Sequence, residues 1–132
     1  MPVFVDNVRI QKGRAFYCHM WADTLPELMA MANRLKLKKS WLQRPPRAKW
    51  VHFDLLLRQR SIALAYGAIL TDQYGPAEHE ARQLIASHEH EEMLRGRLML
   101  ERIENSRALH RLAKPLTAPP EAPAEPEQQE LF

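Results

Sequence analysis

Apolar residues first cluster as Val3-Phe4-Val5, closed by Asp6, and gather again from Arg14 to Trp21 as RAFYCHMW. Both stretches are rich in β-branched or aromatic side chains, so each reads as a strand. The link between them, residues 7–13, is too short for a parallel crossover and predicts an antiparallel pair. From Thr24 the period becomes helical, with Leu25, Leu28, Met29, Ala32 and Leu35 on one face. Thr24 and Glu27 have capping-box spacing, with Thr24 as N-cap and Glu27 at N3.

Further along, Lys49 to Phe53 reads as a short strand, and Asp54 is placed to cap a helix running to Tyr66 and stopping at Gly67. Ala68-Ile69-Leu70 is another apolar run, expected as an edge or central strand. Gly75-Pro76 opens a long helical segment that reaches Ala113, with Pro115 beyond. Its apolar stripe changes phase near Glu91 and Glu92: Ala81, Leu84 and Ile85 share a face before that point. Afterwards Leu94, Leu98, Ala108 and Leu112 follow coiled-coil spacing, interrupted by Glu101 and Asn105. This seam over residues 94–112 would serve a homodimer or pack back on the domain. The predicted fold class is α+β, a small sheet of three or four strands with two short helices, a long C-terminal helix and a disordered tail. The domain boundaries expected are 1–75, 76–114 and 115–132.

Composition narrows the classes. Apolar content of 45% supports a core in the first hundred or so residues. Cys18 is the single cysteine, so a disulfide framework is excluded and a reducing, cytoplasmic setting is expected. No apolar run is long enough to span a membrane, and the first residues read as strand instead of a secretory leader. The net charge of +3 conceals a gradient, with +7 over residues 1–75, zero over 76–116 and −4 over 117–132. Between Arg34 and Lys49 there are seven bases and no acid. Six of them, Lys36, Lys38, Lys39, Arg44, Arg47 and Lys49, are candidate nucleic-acid contacts, because Trp41, Trp50 and Phe53 lie in or beside the run. Charge serves phosphates and rings serve stacking. The same tryptophans also have a reading as core.

Two short patterns concentrate chemistry: His19-Met20-Trp21-Ala22-Asp23 and His52-Phe53-Asp54. Each ends a predicted strand just before a helix. If the strands are parallel neighbours, His19, Asp23, His52 and Asp54 gather at the carboxyl ends of the sheet beside two helix N-termini. Such a set suits an acid–base pair or a divalent metal, with His19 and His52 as the nitrogen ligands. Structural roles compete, since Asp54 and Asp23 suit a cap and a helix dipole, and His19 suits a hydrogen-bonded strand residue. Asp6 ranks lower, because a simple hairpin puts it near Arg14, at the opposite end from His19. Arg58 or Arg60, one turn into the second helix, would face the same cleft and pair with Asp23. His88 and His90 point to opposite sides of a helix and cannot share a metal. Cys18 falls on the strand face opposite His19 and reads as core.

The order His19-Met20, Ala22-Asp23-Thr24, Glu27-Leu28, Met31-Ala32, His52-Phe53-Asp54-Leu55 and Gly67-Ala68 resembles an uncharacterised domain family of bacteria and phages marked by a His-Tyr-Asp motif. The resemblance covers residues 1 to about 75, and Phe53 stands where that motif has tyrosine. It implies a domain type and no particular activity. Separately, Pro115 to Glu130 is nearly all proline, alanine and glutamate, too poor in apolar groups to fold. It ends in Gln128-Gln129-Glu130-Leu131-Phe132, which resembles the peptide by which bacterial proteins dock on the replicative sliding clamp, with Gln128, Leu131 and Phe132 at the anchor positions. The leading functional expectation is therefore a phage-type accessory protein of DNA metabolism that docks on the clamp and whose basic domain contacts nucleic acid. One alternative is a metal-dependent phosphodiesterase or nucleotide hydrolase using His19, Asp23, His52 and Asp54. Another is a non-enzymatic counter-defence or inhibitor protein.

Overall fold

The computed structural model describes residues 2–113, which fall into two compact units meeting in sequence between Gln73 and Tyr74. The first unit is mixed α+β. In chain order it holds β1 (Val3–Asp6), β2 (Ile10–Lys12), β3 (Ala15–Ala22), α1 (Leu25–Arg34), β4 (Phe53–Leu56), α2 (Leu57–Ala65) and β5 (Ile69–Thr71). The second holds α3 (Gly75–Ala86) and α4 (His90–Ala113). The sheet has five strands, more than the three or four expected, because β2 lies inside what sequence treated as a linker.

β3 is the axis of the sheet. Tyr17 pairs with both Ile10 of β2 and Leu56 of β4, and Met20 pairs with both Val5 of β1 and Phe53 of β4. A strand residue has one neighbour per flank, so β4 occupies one flank of β3 while β1 and β2 lie in tandem along the other. All three pairings are antiparallel, and β5 then adds to β1 in parallel as an edge strand. The antiparallel expectation for the first two predicted strands holds. Parallel pairing of the two His-bearing strands does not, since β3 and β4 run in opposite directions.

Alternation along the strands separates two faces. Val3, Val5, Cys18, Met20, Phe53 and Leu55 are buried on one face with Leu28, Met31 and Ala32 of α1 and Leu57 and Ala63 of α2. Burial pushes the Cys18 thiol up to about 12, against the opposing pull of Arg60, so it is an unreactive core thiol. The other face carries Phe4, Asp6, Tyr17, His19, Trp21 and Asp54. Thr24 caps α1 as expected, accepting from the Glu27 amide at 3.4 Å. Leu25, however, is 41% exposed, and the buried stripe runs through Leu28, Met31 and Ala32.

Asp54 does not cap α2. β4 continues through it, and the helix starts at Leu57 with the Gln59 side chain accepting from the Leu56 amide at 2.9 Å. The bulky sequence Phe53-Asp54-Leu55-Leu56 alternates cleanly and satisfies a strand before it satisfies a helix. At the other end the expected glycine stop is present. Gly67 has φ +105°, with Ala68 N–H donating to Ala63 O at 2.9 Å and Gly67 N–H to Leu64 O at 3.0 Å, a Schellman closure.

The segment expected as one long helix is two. His88 takes φ +68° between α3 and α4, and Ser87 Oγ accepts from the Glu89 amide at 3.2 Å. The change of phase in the apolar stripe marks this reversal. His88 and His90 are exposed, and His88 is in the break itself. The two helices pack antiparallel, since Gly96 meets Ala81 and Ile85 while Arg107 reaches back to Glu78 at 2.7 Å. The packed face of α4 includes Gly96, Ile103 and Arg107, and the expected seam residues Leu94, Leu98 and Leu112 lie beside it, exposed.

Gly96 sets the approach of these helices. A Cβ there would fall 2.6 Å from Ala81 O and 2.8 Å from Ile85 Cγ1. In an open helix Gly→Ala stabilises by up to about 1 kcal/mol, but here a backbone oxygen stands in the way and overpacking of this kind costs roughly 1–3 kcal/mol. Gly96→Ala is therefore expected to lower the urea midpoint of the helical pair. A raised midpoint would show that the helices separate at no cost.

Candidate functional site

The site forms where the flank of β3 is interrupted. β1 ends at Asp6, residues 7–9 leave the sheet, and β2 resumes the pairing at Ile10. Opposite the gap, the His19 amide donates to Asp6 Oδ1 at 2.9 Å, so a side chain replaces a missing backbone acceptor. The second oxygen, Oδ2, lies 2.7 Å from His19 Nδ1. Asp6 is 1% exposed, and both of its oxygens serve His19. From α2, Arg60 Nη1 donates to Asp6 O at 3.0 Å and Val8 O at 3.1 Å, closing the interrupted backbone.

Asp6 is thus part of the site, against the expectation that it sits at the far end from His19. The hairpin argument placed the strand end correctly for a simple two-strand ribbon. Here β2 takes the near half of β3, which pushes β1 to the far half, with Val5 opposite Met20.

β3 and β4 put His19 opposite Asp54 in register, and His52 precedes β4 on the same face. His52 is held by paired backbone bonds with Gln43, each 2.9 Å, and its Nδ1 lies 3.1 Å from Trp50 O. Trp50 stacks on the His52 ring with centroids 4.2 Å apart, while the His19 ring meets His52 edge-on at 5.4 Å. Trp21 closes the back, 5.6 Å from Trp50 and stacked at 5.9 Å on Phe4. The rings are fixed by contact on several sides.

Proton positions follow from these partners. A carboxylate and a carbonyl can only accept, so Nδ1 of both histidines carries hydrogen and Nε2 is the nitrogen left over on each. His52 Nε2 lies 3.5 Å from Asp54 Oδ1. Among the described residues, one ligand atom from each of His19, His52 and Asp54 lies within 4.8 Å of the others. Asp54 Oδ2 is occupied separately, by Lys12 Nζ at 2.7 Å and Gln43 Nε2 at 2.9 Å. The His52 ring and the Lys12 ammonium outweigh burial and hold the Asp54 carboxyl down to about 2, so it is anionic at neutral pH.

Three of the four residues singled out by sequence meet here. Asp23 does not join them: it is exposed in the turn after β3, four strand residues beyond His19, or roughly 13 Å. Arg60 serves the site by holding the backbone at Asp6 and Val8. Lys12 and Gln43 were missed, because nothing local in the sequence places a β2 lysine or a loop glutamine on a β4 carboxylate. Lys36, Lys38, Lys39, Arg44, Arg47 and Lys49 are all exposed. Of the aromatics near them, Phe53 is in the core, Trp50 covers His52 and Trp41 is 51% exposed. Gln128, Leu131 and Phe132 lie outside the described residues.

Fold and site together define a small α+β domain whose sheet carries a His–Asp cluster on the face turned away from α1 and α2. The chain belongs to the family of proteins of unknown function designated DUF4031, whose model matches residues 3–86. That match takes in the whole sheet, the clustered residues and α3, beyond the residues 1–75 expected from motif order. No curated protein and no solved structure matches the chain. No helix among the described residues is long and apolar enough to cross a membrane.

Two outcomes follow from this geometry. The folded-state value of Asp54 lies below its ordinary value of 3.8, so its ionised form stabilises the fold. That contribution is complete above the ordinary value and fades as pH falls toward 2. Urea midpoints at pH 5 and pH 3 should therefore differ more in the wild type than in Asp54→Asn, and equal differences would refute the assignment. The second concerns Asp6→Asn. Its amide oxygen must still accept the His19 amide, which turns the NH2 toward Nδ1 and forces the ring proton to Nε2. Nitrogen-15 NMR of His19 should report that tautomer switch, and an unchanged Nδ1–H ring would contradict it.

Proposed function

We propose that this domain is a divalent-metal-dependent hydrolase of phosphate esters, with His19, His52 and Asp54 as ligands and Asp6 as the group that positions His19. One observation carries the reading: His52 Nε2 and Asp54 Oδ1 face each other at 3.5 Å, and a ligand atom of His19 lies within 4.8 Å of both. A proton on His52 Nε2 satisfies this pair in the metal-free protein, and a metal ion bound between nitrogen and oxygen would take its place. The donor chemistry fits a metal. Both imidazoles are locked in the tautomer that leaves Nε2 available, and a carboxylate behind one ring is the arrangement that orients histidine ligands. Two nitrogens and one oxygen suit Zn²⁺ or Mn²⁺ better than Mg²⁺, which prefers oxygen throughout.

Three protein ligands leave room for water and substrate, and a bound divalent ion there would supply an acidic water and a Lewis acid. Trp21 and Trp50 keep solvent from one side, while the His19 side chain, 23% exposed, is reachable from the other. Lys12 is the cation beside the carboxylate and is placed to neutralise charge on a phosphoryl group. Hydrolysis joins the water oxygen to phosphorus and breaks the ester P–O bond. The leaving oxygen takes one proton, and the phosphate product or solvent takes the other.

Calorimetric titration of the metal-stripped full chain tests the reading. One Zn²⁺ or Mn²⁺ per chain is expected, with His52→Ala abolishing high-affinity binding and Asp6→Asn weakening it by about 10- to 100-fold. Turnover of an aryl phosphodiester should disappear with the metal in His52→Ala. Identical titrations for wild type and His52→Ala would sink the proposal.

A further inference from the structure

From the way the basic segment is attached to this site, we infer that residues 38–49 form a binding arm for single-stranded nucleic acid and deliver its backbone phosphate to His19, His52 and Asp54. The delivery step rests on the phosphate-ester reading above, whereas the binding surface stands on its own observations. The first is charge, since Arg34 to Lys49 contains seven bases and no acid, and Lys38, Lys39, Arg44, Arg47 and Lys49 are all exposed. No acidic side chain within the segment competes for them.

The second observation is Trp41. It closes the single 3₁₀ turn Lys39–Trp41, is half exposed, and has Lys38 Nζ 5.7 Å from its ring centroid. An indole presented in this way, with the Lys38 ammonium beside it, suits an unpaired base against the ring and a phosphate at its side. A duplex offers phosphates but keeps its bases stacked inside, so the tryptophan selects single strands.

The third observation ties the arm to the chemistry. Gln43 bonds to His52 through both backbone groups, and its Nε2 donates to Asp54 Oδ2 at 2.9 Å. Leu42 is extended, so Trp41 stands two residues, roughly 7 Å of chain, from that bridge. Arg44 follows the bridge directly, and Lys12 lies at the same carboxylate oxygen as Gln43. Positive charge and an open ring therefore lead to the cluster without interruption by an acid from the arm.

Fluorescence anisotropy of a short labelled oligothymidine, titrated with the full chain in EDTA, separates this inference from the metal reading. Wild type is expected to bind without metal, with affinity falling as salt rises because counterions are released. Trp41→Ala should weaken binding by about tenfold, and Lys38→Glu/Lys39→Glu should lower the salt slope by about two. Trp41→Ala should keep the wild-type calorimetric titration with Zn²⁺, so loss of metal affinity and loss of nucleic-acid affinity are scored in different variants. Absence of binding at low salt, equal affinity for the matching duplex, or full affinity in Trp41→Ala would overturn the proposal. Binding to vesicles of phosphatidylserine and phosphatidylcholine in place of the oligonucleotide would do so as well, by assigning the arm to an anionic membrane.

Discussion

The Asp6 carboxylate is the group on which the first unit turns. One oxygen takes the backbone amide of His19 and the other faces its ring, so a single side chain completes the sheet and orients the imidazole. A buried carboxylate is costly unless its acceptor capacity is used. Here that requirement fixes where β1 must end and which way His19 must face. Replacing Asp6 by an apolar residue would leave the His19 amide without its partner at an interrupted strand, so the position answers to architecture and chemistry together.

A second constraint is the face on which this occurs. α1 and α2 cover one side of the sheet with aliphatic side chains, which frees the opposite side to carry polar and aromatic groups. Rigid strands hold His19 and Asp54 in register, while Gln43 and Trp50 of the segment between α1 and β4 hold His52. Lys12 and Gln43 take one oxygen of Asp54 and leave the other directed at His52. The electrostatics are local: the His52 ring and the Lys12 ammonium together keep the carboxylate ionised.

Much of this was legible in the residues. Thr24 and Glu27 announced α1, Gly67 announced the end of α2, and the His19 and His52 patterns named two imidazoles that the fold brings together. What eluded local reading was pairing. β2 is three polar-edged residues, Ile10-Gln11-Lys12, with no periodicity of its own, and its presence alone moves Asp6 from the wrong end of β3 to the site. Asp54 looked like a cap because aspartate before a helix usually is one, yet pairing with His19 extended the strand by tertiary contact. Likewise the turn at His88 has neither glycine nor proline, so only the shift in the apolar stripe hinted at it. On α4 the leucines drew attention to one seam, while a small residue, Gly96, marked the face that packs.

β1 lies between β3 and β5, although it precedes both in sequence. Its partners arrive late, since the Arg60 guanidinium that secures Asp6 is 54 residues away in sequence, and the strand that covers its outer edge ends at Thr71. During synthesis Val3 to Val5 must therefore wait with an unpaired edge while the sixty-odd residues up to Thr71 are added. A chain truncated before β5 would carry the cluster residues while the outer edge of β1, the strand that ends in Asp6, stayed unpaired.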